Sequence, residues 1–112
     1  MPTFDDVRAI CLALPEVEEI VTWGSDITFR VRGKIFAMGG DGADVVSVKA
    51  SPEEQADLLA LDPVTFSKAA YVGRFGWVNV RLDGVAEPHL RDLLSGAWRR
   101  TAPARLRARL EG

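Results

Sequence analysis

The chain has 112 residues, a formal net charge of −2, one cysteine and one histidine. With 47% apolar and 27% charged residues, it reads as one globular domain over residues 1–112. No run approaches the roughly 18 apolar residues of a membrane span. A lone Cys11 excludes an intramolecular disulfide and fits a reducing, cytoplasmic compartment, and its distance in sequence from His89 argues against zinc or haem ligation. The N-terminus lacks a basic region followed by an apolar core, so no secretion signal is expected.

Charge is unevenly spread. Residues 1–65 carry 5 Lys/Arg and 12 Asp/Glu, whereas residues 66–112 carry 9 and 4. The asymmetry reads either as a basic binding face or as a polar surface whose signs balance in three dimensions.

Thr3-x-x-Asp6 resembles a capping box, and Phe4, Val7, Cys11 and Leu14 then recur at helical spacing beside Ile10. Pro15 ends that helix, and Cys11 is expected in the core as a small inert hydrophobe. Strand signals follow at Glu19–Trp23 and, after Gly24-Ser25-Asp26, at Ile27–Arg32. There Ile27, Phe29 and Val31 alternate with Thr28, Arg30 and Arg32. Gly33 turns the chain into Lys34–Met38, the loop Gly39-Gly40-Asp41-Gly42 follows, and Val45–Lys49 is the next strand of an antiparallel meander. Ser51-Pro52-Glu53-Glu54 starts a helix that runs to about Leu61. Phe66–Val72 and Trp77–Leu82 are predicted strands flanking Gly73-Arg74-Phe75-Gly76. Pro88 opens a helix with the apolar stripe Leu90, Leu93, Leu94, Ala97 and Trp98. A shorter terminal helix begins at Pro103, with Leu106 and Leu110 inward and Arg105, Arg107 and Arg109 outward. The order, roughly α-β(3–4)-α-β(2)-α, predicts an α+β two-layer fold with helices on one face of an antiparallel sheet.

Few chemistries have support. Gly39–Gly42 precedes a strand and lacks the Lys-Ser/Thr pair of a phosphate loop. Asp41 and Asp44 lack calcium-loop spacing. There is no Gly-x-Ser-x-Gly, and a single histidine, expected to be exposed in a first helical turn, leaves few triads. Glu16, Glu18 and Glu19 cluster without any sign of separated pKa values. The pattern makes no case for an enzyme, a metal or a cofactor.

Gly73–Trp77 is the most distinctive stretch. No helix follows Gly76, so a hairpin loop is expected rather than a helix-end phosphate cradle. With Val78, Val80 and Leu82 apolar, Trp77, Asn79 and Arg81 share the opposite side of their strand. In a two-layer fold that side meets water. A Trp beside Arg and Asn on an open sheet would suit base stacking with phosphate contacts. Alternatively, Trp77 covers the sheet edge and packs on Tyr71 or Phe75.

Several pieces in this order resemble the MmcQ/YjbR family across nearly the whole chain. They are Cys11-Leu-Ala-Leu-Pro15 with following acids, Trp23-Gly24, Thr28-Phe29-Arg30-Val31, Gly33-Lys34-Ile35-Phe36-Ala37, Val46-Ser47-Val48-Lys49, Tyr71-Val-Gly-Arg74 with Gly76-Trp77-Val78, and Ala102-Pro103-Ala-Arg-Leu106. Members often carry His where Phe75 stands. The resemblance implies an α+β fold similar to frataxin-like and secretion-chaperone-like domains, and a DNA-binding role. It carries over no catalytic residue. Two readings follow. One is a cytoplasmic DNA-binding module using Arg30, Arg32, Lys34, Arg74, Trp77, Asn79 and Arg81. The other is a chaperone-like module that holds a protein partner or a second copy of itself.

Overall fold

The fold is described by a computed structural model covering residues 1–22, 24–70 and 72–111. Tyr71 and Trp23 lie outside the described residues, and with them the expected end of the first strand, the penultimate residue of the Phe66–Val72 strand and any packing of Trp77 on Tyr71.

Helix α1 (Phe4–Leu12) begins where the Thr3 N–H donates to Asp6 Oδ2 at 2.7 Å, a local closure that the Thr-x-x-Asp spacing anticipates. Four strands follow as a meander: β1 (Val17–Thr22), β2 (Asp26–Val31), β3 (Lys34–Gly40) and β4 (Val45–Val48). The β2–β3 turn is Arg32-Gly33, both with positive φ (51° and 80°), the conformation of a two-residue type I′ hairpin. Strand β3 continues through Gly39 and Gly40, which the sequence suggested as loop. A Cβ at Gly39 would lie 2.6 Å from the Phe4 ring, so that glycine admits α1 against the sheet.

Helix α2 (Pro52–Leu61) starts at Ser51, whose hydroxyl accepts the Glu54 N–H at 3.0 Å. Next come β5 (Phe66–Lys68), a 3-10 turn (Val72–Phe75) and β6 (Val78–Arg81). The expected strand from Phe66 to Val72 is therefore only three residues long. Strand β6 inserts beside β4, giving the antiparallel order β1-β2-β3-β4-β6-β5.

Helices α3 (Glu87–Thr101) and α4 (Ala104–Glu111) complete the chain. Leu90, Leu93, Leu94, Ala97 and Trp98 are all buried, as the stripe predicts. The Trp98 indole Nε1–H donates to Pro15 O at 3.1 Å and ties α3 to the end of the first helical segment.

The apolar side chains buried by all four helices join Ile27, Phe29, Val31, Val46, Val48, Val78 and Val80 in one cluster. The helices thus share one sheet face, and the other carries none, an α+β two-layer architecture. Two details of the helices differ from expectation. His89 is half-buried and stands edge-on to Phe66, with ring centroids 5.5 Å apart. Leu110 is exposed, whereas Arg107 turns inward, its Nη1 donating to Ala102 O at 2.7 Å. That bond satisfies a carbonyl left open where α3 ends.

Candidate functional site

Strand register fixes the open face. Its middle row runs Ile20, Thr28, Met38, Ser47, Asn79 and Ser67 from edge to edge. Two residues along β2 lies Arg30, opposite Ile35. Toward the same end, Lys49 continues β4, its N–H donating to Phe36 O at 3.0 Å. Trp77 and Ala69 come next, joined by an Ala69 N–H to Trp77 O bond. In the opposite direction lie Val45 and Arg81, which pair across β4 and β6.

The seven sequence-chosen residues do not form one cluster. Arg30 and Arg81 sit at diagonally opposite corners, roughly 20 Å apart by strand spacing and rise. Arg81 is ion-paired to Asp83 at 2.9 Å, at an end that also carries Asp26 and Asp44. Arg32 occupies the β2–β3 turn, where its Nε meets Glu16 at 2.7 Å, and Arg109 meets the same carboxylate at 3.0 Å. The Arg32 guanidinium, and behind it Arg109, hold the Glu16 carboxyl below the usual carboxylate range. Asn79 is half-buried and its Oδ1 accepts the Ser47 hydroxyl at 2.6 Å.

Trp77 corrects the reading most. Alternation puts it on the water-facing side, yet it is only 8% exposed. It is also absent from the contiguous core beneath the helices. It lies between the 3-10 turn and β6, and at so low an exposure its ring is not an open stacking platform. Thr28 is likewise buried on the open face. Its hydroxyl donates to Ile20 O at 2.8 Å and accepts the Arg30 Nε–H at 3.0 Å.

The Gly73–Gly76 segment is a fastened turn. Gln55, buried on α2, donates from Nε2 to Gly73 O at 2.7 Å and to Trp77 O at 2.8 Å. Gly76 has φ 103°, and a Cβ there would lie 2.6 Å from Ala50 O and 2.7 Å from the Ser51 carbonyl carbon. Only glycine satisfies both demands. The turn so held projects Arg74 and Phe75 outward. The Arg74 guanidinium lies 4.7 Å over the Phe75 ring, which is 59% exposed. The Lys68 stem passes over Gly73, bringing a second cation to the turn.

Five cations therefore lie at one end of the sheet: Arg30 and Lys49 turn to the open face, Lys34 opposite Val31 and Lys68 opposite Val78 have the parity of the covered face and lie at its exposed rim, and Arg74 stands on the turn. None forms an ion pair among the described residues. Sequence reasoning missed Lys49 and Lys68. Lys49 was legible, since Val46 and Val48 set the parity that turns Lys49 to the open face. Gln55 was missed too, because a polar residue one turn from Leu58 gives no signal of its two carbonyl partners.

Among the described residues no group of His, Cys, Asp and Glu is placed to hold a metal ion, and no helix is long and apolar enough to cross a membrane. Burial pushes the Cys11 thiol well up, with the nearby Glu19 carboxylate adding to the shift. It is buried among Val7, Ile10 and Leu14, away from this surface.

No curated protein matches the chain. The crystal structure of Deinococcus radiodurans protein DR2400, which carries a DUF419 domain, is similar at a TM-score of 0.82 and 26% sequence identity, covering 99% of this chain and 89% of that one. The YjbR family model matches residues 12–100, from the last residue of α1 almost to the end of α3. That match takes in the whole sheet, the fastened turn and most of the helical layer, so the chain belongs to the YjbR family.

Proposed function

We propose that the chain is a small non-catalytic module that binds the phosphate backbone of DNA at the cationic end of its sheet, where the open face meets the rim of the covered one. The observation that carries this reading is the segregation of Arg30, Lys34, Lys49, Lys68 and Arg74, without carboxylate partners among the described residues, from the end where Arg81 meets Asp83. A net charge of −2 supplies no long-range attraction. A local patch still acts within a screening length of about 8–10 Å. Exposed Phe75 beneath Arg74 offers a face for an unpaired base, which favours single strands over duplex. Phosphate contacts supply most of the affinity.

The test is a titration of single-stranded and duplex DNA at several salt concentrations. Binding should weaken with salt, and Lys49→Gln or Arg74→Gln should each lower the salt slope by about one. Arg81→Gln should leave it unchanged. A slope near zero, or no binding at low salt, removes the reading.

A second reading has its own observation. Ile20, Ile35 and Met38 are half-buried on the same face and Val45 is exposed there. Such a surface suits a protein partner or a second copy of the chain. Self-association that persists unchanged at high salt, in a protein that ignores DNA, favours it.

A further inference from the structure

On the helical layer, away from the open face, α3 and α4 border a shallow, open groove of about 420 Å³ lined by Gly96, Arg99, Arg100 and Arg107. Three of its four lining residues are arginines, contributed by two helices. We propose that this groove is a second, separate site, for the phosphate group of an anionic ligand.

Three features support it. Glycine is a poor helix former, yet Gly96 stands inside α3. A Cβ there would lie 3.1 Å from Arg100 Nη1, so glycine leaves room for that guanidinium close to the helix. Arg107 is already held in place, its Nη1 donating to Ala102 O at 2.7 Å and to Arg99 O at 3.4 Å. Those bonds neutralise carbonyls at the end of α3 that would repel an anion. Among the described residues its Nε–H and Nη2 donors have no partner and face a ligand. Arg100 meets Glu54 at 3.2 Å in a pair about one-third exposed on each side. An ion pair at the solvent boundary contributes little net stability and can yield to a better acceptor. The planar guanidinium fork matches phosphate oxygens two at a time.

Free phosphorylated small molecules and a nucleic-acid backbone share this chemistry. The full chain is titrated with pyrophosphate at constant ionic strength and followed by two-dimensional amide NMR. Saturable shifts at Gly96 and Arg100 are expected, and equal ionic strength from chloride should produce none. Arg100→Gln, an exposed change that leaves the circular dichroism spectrum intact, should weaken pyrophosphate about tenfold or more. A short single-stranded oligonucleotide that shifts the same resonances and competes with pyrophosphate identifies a backbone ligand. One that leaves them unmoved identifies a small phosphorylated molecule. Absence of saturable shifts at Gly96, or an unchanged affinity in Arg100→Gln, overturns the proposal. Lys49 and Arg74 do not line this groove, so failure here and failure of DNA binding at the sheet end are separate results.

Discussion

The two faces of the sheet obey the same alternation and end differently. On the covered face, Ile27, Phe29, Val31, Val46, Val48, Val78 and Val80 are all buried, because every one of them meets the helical layer. On the open face, the same parity gathers Thr28, Arg30, Ser47, Asn79 and Arg81 with Trp77, and exposure ranges from 1% at Thr28 to a solvent-facing Arg81. Alternation decides the side of the sheet. Exposure is decided by what stands next to each residue. Under helices the neighbours are guaranteed, and on an open face they are local: a threonine hydroxyl bonded to a carbonyl, and a guanidinium bonded to that threonine.

The comparison breaks first at the tryptophans. Trp98→Ala on the covered face should destabilise by about 3–5 kcal/mol, the range for removing a fully buried aromatic. The indole bond to Pro15 is lost with it. Trp77→Ala should cost less, about 2–3 kcal/mol from its buried area, since it lies outside the main cluster. Urea unfolding checks both. If Trp77→Ala leaves the midpoint unchanged, the open face is as solvent-facing as its alternation suggested, and any loss of binding in that variant is a direct contact.

These differences mark what the sequence could show. Helix α1, the meander, the Ser51 start of α2, the stripe from Leu90 to Trp98 and the two-layer architecture follow from period, caps and turns. All of those are local signals that tertiary packing reinforces. Gly39 and Gly40 were misread because glycine marks loops and close approaches alike, and only the Phe4 ring distinguishes them. The strand expected over Phe66–Val72 ends at Lys68, because the apolar residues around Gly73 have a strand-like pattern but a different structure. There Gln55, eighteen residues away, holds a 3-10 turn. The candidate site was partly legible. Arg30, Lys34 and Arg74 fall at one end as chosen, but a strand pattern cannot show that β6 inserts beside β4 and carries Arg81 to the opposite, acidic corner.

A smaller effect probes the polar bonds of the open face. Asn79 Oδ1 accepts the Ser47 hydroxyl at the centre of the middle row. Asn79→Ala should destabilise by about 1 kcal/mol, the net worth of an ordinary hydrogen bond. A loss matching that of Trp98→Ala would mean the open face is covered in solution, and self-association would then be the property to measure.

The smallest effects lie in pH dependence, where the covered face and the rim of the open face should oppose each other. At the rim, the Arg32 guanidinium, then Arg109, holds the Glu16 carboxyl low. A folded value below the unfolded one of about 4.3 gives stability that is present above that pH. It is lost as pH falls through the lower folded value. Because the pair is solvent-exposed, the effect is modest. Under the helices, burial raises the Cys11 thiol. Its sign is opposite: stability is intact below the unfolded thiol value of about 8.5 and declines as pH rises above it. Glu16→Gln should therefore be less stable than the parent at neutral pH, with the gap closing progressively below about pH 4.3. Its alkaline limb should match the parent's. Cys11 in both proteins should resist thiol reagents until urea unfolds them. Unfolding midpoints from pH 3 to 10 test this directly. A gap that persists at the acid end would show that the loss in Glu16→Gln does not come from the charge of Glu16.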